Sequence, residues 1–520
     1  MTATRNVLVL GSLAPEGVAC LRDEDLRVEV RDAGGTADVA EYDAIVVGGG
    51  ARVTASMLAA GSALRVVGCA GADLAGVDVA EATRRGILVL NAPDGALISE
   101  AEHALALVLA VARDLGGADA ALRGAVTGRV PGDGVEIRRK TLGLVGVRAS
   151  SALLVERARA LGMDVLACEA QAPGEVAAGV VECVTPEQVL SRADVLVAQT
   201  PDGVPFFGAA ELAELKPGAR LVSPCAPGAV ELEALAAALG DGHLAGAAVA
   251  VEPGAALPPL VLEAPRLLLT TAAEADTADA RRRAAVSVAE QVAAALHGRL
   301  LRGAVNVAAA ADDADELMPY MELCDRIGRL LVQLAGGPVD ALEITYGGSV
   351  AYFDTSLLTL GVLGGALRER AGRPVNFVNA ELVAEQLGVS TAETREPAVP
   401  DFPRLITVAA AGTDGAMSVS GTSLGSEHKP RLVRVFGEDV DIEFAPHMAF
   451  LRYVDAPGIG GKVGTLLGEW SVNIGHMSVG RGKLGAEAVM ALTLDESLTA
   501  AQTGQLVADC GLEYARAVEL

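Results

Sequence analysis

The chain has 520 residues, enough for about three or four domains, and is 51% hydrophobic and 21% charged, the balance of a globular protein with material for several cores. Its formal net charge is −26 and aromatic residues make up only 3%. So acidic a surface repels nucleic acid and anionic membranes and offers no base-stacking platform, which excludes both as expected partners.

Seven cysteines are scattered, with no CxxC pair and no histidine at ligand spacing. That pattern predicts reduced thiols, no metal site and a cytoplasmic setting. No leader segment is expected, and no apolar run is expected to reach the ~20 residues that span a bilayer.

The first apolar strands are expected at 5–10 and 44–50, each running into glycine, with further strands at 64–71 and 86–93. Alternation of such strands with helical segments predicts a parallel α/β sheet. Ser99 and Glu102 stand at capping-box spacing before a long apolar run, which predicts a buried helix over about 100–115.

Residues 139–170 then read as strand, tight turn, helix and second strand, the opening unit of a dinucleotide-binding fold. Gly143, Gly146 and Glu169 are the candidate cofactor-binding residues. Gly146 holds the first position of the glycine turn, but Arg148 stands at the second and Ser151 at the third. The second position is where the backbone must approach a pyrophosphate, and a side chain there obstructs it. Glu169 closes the second strand, where an acidic residue would hold ribose hydroxyls. Further strands are expected at 194–199, 219–224, 245–251 and 266–271, and a helix at 278–297.

A small acidic linker at 308–316 leads into an α+β segment. It carries helices at 317–335 and 356–370, a strand at 341–348 and a hairpin around Thr413, Asp414 and Gly415. Lys429, Arg431 and Arg434 form a basic cluster expected on a solvated strand face, with an anion site of the middle domain as the alternative. From about residue 445 the pattern is β-α-β-β-α-β, a ferredoxin-like domain.

GVDVAEATRRGILVLNAP (76–93), SEAEHALALVLAVAR (99–113) and the strand–turn–helix at 141–161 resemble the D-2-hydroxyacid dehydrogenase superfamily. With the added middle and C-terminal segments the chain resembles the long bacterial D-3-phosphoglycerate dehydrogenases of serine biosynthesis. The resemblance implies two Rossmann-like doubly wound domains around a cleft, an α+β intervening domain that resembles an allosteric substrate-binding domain, and a ferredoxin-like ACT domain. The expected boundaries are 1–98 with 280–307 for the substrate-type domain, 99–279 for the nucleotide-type domain, 308–444 for the intervening domain and 445–520 for the ACT domain. NAD is the cofactor that the resemblance implies. It also implies a homo-oligomer, dimer or tetramer, with L-serine as effector at Tyr453, Asp455 and Asn473.

The catalytic positions depart from the family pattern. Ala226 falls at the family's arginine and Ala272 at its histidine. Ala250 falls at an aspartate, and Glu252 reaches the glutamate position only with a local gap; a nearly ungapped register puts Ala255 there. Gly48 and Cys69 fall at substrate arginines, and QTP (199–201) replaces an H-x-P segment. Hydride transfer from a 2-hydroxy acid needs a base at the hydroxyl and a cation on the carboxylate, and alanine supplies neither. The sequence therefore predicts an eroded dehydrogenase site with weak or absent NAD binding, in a regulatory or scaffolding homologue. The alternative is an active NAD-dependent dehydrogenase with rearranged residues such as Glu252.

Overall fold

The computed structural model describes residues 4–34, 38–123, 134–168, 182–199, 207–225, 229–271, 276–299, 303–307, 314–399, 402–412, 415–425, 428–481 and 486–520. The chain divides into two compact units, Met1–Leu13 with Val18–Asn91 and Val288–Leu520, and Ala14–Gly17 with Ala92–Ser287.

The first unit opens with β1 (Asn6–Leu10), β2 (Arg27–Arg31), β3 (Ala44–Val47), β4 (Val66–Cys69) and β5 (Leu88–Asn91). They form a parallel sheet in the order β2-β1-β3-β4-β5. β3 and β4 are buried along their whole length, as continuous apolar runs require in a sheet covered on both faces. Sequence reasoning passes over β2, because its RVEVR pattern is largely exposed at the sheet edge, where charges are tolerated.

The second unit contains β6 (Thr141–Val145), β7 (Asp164–Cys168), β8 (Glu182–Val184), β9 (Val195–Ala198), β10 (Ala219–Ser223), β11 (Leu244–Val251) and β12 (Leu267–Thr271). All pair in parallel, in the order β12-β11-β10-β9-β6-β7-β8. The strand order reverses between β6 and β9, which makes a doubly wound sheet with its ligand crevice expected at the carboxyl ends of those two strands. One face is covered by Leu107, Val108, Leu154 and Val155, the other by Val189, Phe207, Leu212 and Leu235.

Two expectations about the long helix are corrected. It runs Leu97–Arg113, led by a 3-10 turn at Pro93–Ala96. Proline pre-sets the first turn, so Ser99 lies inside the helix rather than capping it, and its hydroxyl sits 2.8 Å from that of Thr277. The continuous stretch Pro93–Arg113, 21 residues, is long and apolar enough to cross a membrane by length and composition, contrary to the expectation that no run reaches that length. Its apolar stripe, Ala101, Ala104, Leu107, Val108 and Val111, is buried in the core against the sheet, so the hydrophobicity serves packing.

The first unit continues with β13 (Ala341–Gly348), β14 (Ser390–Glu396), β15 (Arg404–Gly412), β16 (Gly415–Leu424), β17 (Lys429–Val435) and β18 (Glu438–Glu443), a mixed sheet in the order β14-β13-β15-β16-β17-β18. β15 and β16 form the expected hairpin, Gly412 opposite Gly415; Thr413 and Asp414 lie outside the described residues. The helices Met321–Ala335 and Ser356–Leu367 touch backbone to backbone. A Cβ on Gly365 would stand 2.0 Å from the Asp325 carbonyl oxygen.

The basic cluster on β17 is paired across the sheet. Arg431 meets Asp441 at 2.6 Å and Glu443 at 3.0 Å, and Arg434 meets Asp439 at 2.6 Å.

Last come β19 (His447–Val454), β20 (Ile474–Arg481), β21 (Glu487–Leu494) and β22 (Tyr514–Glu519), an antiparallel sheet in the order β20-β21-β19-β22. The helices Ile459–Glu469 and Ala500–Cys510 complete a ferredoxin-like β-α-β-β-α-β unit.

Candidate functional site

The crevice at the carboxyl ends of β6 and β9 is built on Gly146. Its φ is +77°, and a Cβ there would stand 1.2 Å from the carbonyl oxygen of Gln199, the residue that follows β9. Only glycine fits both conditions. Gly143 has a different part: it lies within β6, where a Cβ would press on Val189 and Ala193. It is a packing glycine and no element of the turn.

The rest of the turn is closed by side chains. The Arg148 N–H donates to Ser151 Oγ at 3.0 Å, and that hydroxyl donates to Gln199 Oε1 at 3.0 Å. Ser151 and Gln199 are both buried, so the chain satisfies polar groups that would be costly to leave unpaired. Arg148 is the N-cap residue of the helix Ala149–Ala160, with extended backbone. Its guanidinium reaches Cys225 Sγ, just beyond β10, at 3.7 Å, and stands 4.0 Å from Glu100 Oε1 on the long helix.

The side chain thus lies over the end of the sheet, between β6 and β10. Burial pushes the Cys225 thiol up and outweighs the opposing pull of Arg148, so the sulfur stays protonated near neutrality and is a poor nucleophile.

Ala226, Ala272 and Glu169 lie outside the described residues. Ala250 is buried in β11 opposite Thr270. Glu252 follows β11 on an exposed turn.

At the ends of β3 and β4 in the other unit, a Cβ on Gly48 would stand 2.3 Å from the Ser12 carbonyl oxygen. The Gly49 N–H donates to that same oxygen at 3.0 Å. A long side chain at position 48 would force β1 and β3 apart. Cys69 is buried, and burial raises its thiol to about 11, so it carries no charge that could hold an anion.

In the ferredoxin-like domain Tyr453 is part of the core, and burial raises its phenol. Asp455 accepts from Arg481 Nη1 at 3.3 Å. The Asn473 amide donates to Asp495 Oδ2 at 3.0 Å. Tyr453 and Asp455 therefore share a neighbourhood with Arg481. No hydrogen bond joins Asn473 to either of them among the described residues.

Arg481, and the hydrogen bonds that link Arg148, Ser151 and Gln199, are what the sequence alone does not show. The substituted glycine positions and the QTP segment were the available signals, but nothing local linked them.

Residues 7–306 match the family model of the D-isomer specific 2-hydroxyacid dehydrogenase catalytic domain. The apo structure of Rhodotorula graminis D-mandelate dehydrogenase shares this fold, with a TM-score of 0.51 and 21% identity over 58% of this chain and 98% of that one. The match over more than half of the chain makes it a member of the D-isomer specific 2-hydroxyacid dehydrogenases. Residues 316–436 match the model of the D-3-phosphoglycerate dehydrogenase intervening domain.

The chain is 34% identical over 528 aligned positions to D-3-phosphoglycerate dehydrogenase of Synechocystis, covering 99% of this chain and 94% of that one. It is 35% identical to that of Mycobacterium leprae and 31% identical to that of Bacillus subtilis, each over 95% of both chains. The chain belongs to the D-3-phosphoglycerate dehydrogenase family.

Proposed function

We propose that this member of the family has an eroded dehydrogenase site and works as a regulatory or scaffolding homologue, assembled as a homo-oligomer. The observation that carries the reading is Arg148, whose guanidinium lies over the crevice between Cys225 and Glu100. NAD is the family's cofactor, and its pyrophosphate needs bare backbone at the second glycine position. Here that approach meets an arginine side chain, and the third position holds a serine engaged with Gln199. The residues present do not fit the cofactor in its usual pose.

The chemistry agrees with that misfit. Removing the base or the cation from a hydride-transfer site costs ~10²–10⁴ in rate for each group, and Ala272 and Ala226 replace both. Gly48 and Cys69 leave a phosphate-bearing substrate without its two arginines. The competing reading, an active dehydrogenase using Glu252, draws on the full-length similarity to chains that bear that name. Glu252 sits on an exposed turn rather than in an enclosed crevice.

Turnover tests the proposal. The purified chain, freed of host enzyme, is expected to produce no NADH from 3-phosphoglycerate above background. The double variant Ala226→Arg, Ala272→His is expected to stay inactive, because Arg148 and Ser151 remain. NADH production by the unaltered chain would overturn the reading.

The same proposal assigns L-serine sensing to the C-terminal domain. Asp455 and Arg481 form a carboxylate–guanidinium pair with the arginine half exposed, complementary to the ammonium and carboxylate of an amino acid. Asn473 would join the site across a pair of copies. Asp455→Ala is expected to weaken serine binding about tenfold to a hundredfold, since a charged hydrogen bond contributes ~1.5–3 kcal/mol. Calorimetry with L-serine checks it, and no heat at millimolar ligand would contradict it.

A further inference from the structure

We infer that the first unit carries an oxyanion site, separate from the dehydrogenase crevice, in a cavity of about 820 Å³ where the first sheet meets the intervening domain. The cavity has the size of a small-molecule site. Three segments line it. Arg65 comes from the approach to β4, Glu81, Arg84 and Arg85 from the helix Val79–Arg84 and its C-cap, and Arg373 and Asn376 from the stretch between Leu367 and Ala380.

The charges in this cavity do not cancel. Arg84 and Arg85 share a single carboxylate, Glu81, each at 2.5 Å. Arg373 donates from Nη2 to the neutral amide oxygen of Gln386 at 2.6 Å, which leaves its charge uncompensated. No hydrogen bond or ion pair is recorded for the Arg65 side chain among the described residues. Four arginines and one carboxylate thus line the cavity, in a chain whose net charge is −26.

Arginines gathered at a helix end ordinarily serve its carbonyls. Here a carbonyl at the helix end and one just beyond its C-cap have other partners. Asn376 Nδ2 donates to the Gly86 oxygen at 2.8 Å, and Asn379 Nδ2 donates to the Arg84 oxygen at 3.4 Å. Neither carbonyl therefore takes up a guanidinium of the arginines that line the cavity.

A planar guanidinium matches pairs of oxygens on phosphate or carboxylate. The ligand class is a small oxyanion of two or more charges, a phosphate monoester or a polycarboxylate. Its occupant would tie the segment around Arg373 to the helix that bears Arg84.

Calorimetry of the full chain with inorganic phosphate and with citrate, at constant ionic strength, tests the site and separates the two sources. At least one of them is expected to bind in the millimolar range or tighter and to raise the melting temperature. Arg65→Gln and Arg373→Gln should each weaken that binding tenfold or more. Arg123→Gln, which removes an exposed arginine elsewhere, should leave it unchanged. Melting of each free variant near the wild-type temperature shows that the fold is intact. Binding of neither anion by the wild type, or equal affinity in the Arg65 and Arg373 variants, would overturn the inference. NADH and 3-phosphoglycerate are absent from this experiment, so its outcome is independent of the dehydrogenase reading.

Discussion

At the scale of single residues, the crevice depends on Gly146, Ser151 and Gln199. Gly146→Ala would need both a left-handed alanine and a retreat of the Gln199 carbonyl, a combination expected to cost at least about 3 kcal/mol. Ser151→Ala would leave the Gln199 amide oxygen without its donor in a buried place. The expected loss is ~1–3 kcal/mol, measured as a shift of the urea midpoint at constant slope. Gly146 was legible in the sequence, because glycine at the end of an apolar strand and before a helix has few other uses. Its partner was not: Gln199 is remote in sequence, and only the parallel pairing of β6 with β9 brings the two ends together. Arg148 was legible as an obstruction, but its reach to Cys225 and Glu100 was not.

At the scale of elements, hydrophobic runs located β1 and β3 to β7, because strands buried on both faces have no polar alternation to confuse the pattern. β2 and β14 escaped notice for the opposite reason. β14 reads STAETRE and is exposed throughout, so nothing apolar marks it, and its position is set by pairing with β13. Polar side chains also tie elements together. Asp194 Oδ2 accepts from the Thr141 N–H at 2.8 Å and Oδ1 from Lys216 Nζ at 3.2 Å, which fixes the start of β6 beside β9. Burial would raise this carboxyl, but the two hydrogen bonds and the lysine charge outweigh it and hold the group below the usual carboxylate range. A depressed folded pKa stabilises above the unfolded value and loses that contribution as pH falls through the folded one. Asp194→Ala is therefore expected to cost ~1–3 kcal/mol at neutral pH. The difference from wild type should shrink below about pH 4, as urea titrations at pH 7 and pH 3 would show.

At the scale of the whole molecule, the chain keeps the doubly wound sheets and the intervening sheet of its family, and on the proposed reading the positions that perform hydride transfer have changed. Core positions are held by packing, which alters only slowly without loss of stability. Site positions are held by chemistry, and the proposed reading is that this demand has lapsed here, leaving alanine, glycine and an obstructing arginine in their place. The most direct measurement is calorimetric or fluorescence titration of NADH into the full-length wild-type chain and into Arg148→Gly. The wild type is expected to bind no tighter than about millimolar, several kcal/mol short of micromolar affinity, with tighter binding in the variant. Micromolar binding of NADH by the wild type would contradict it.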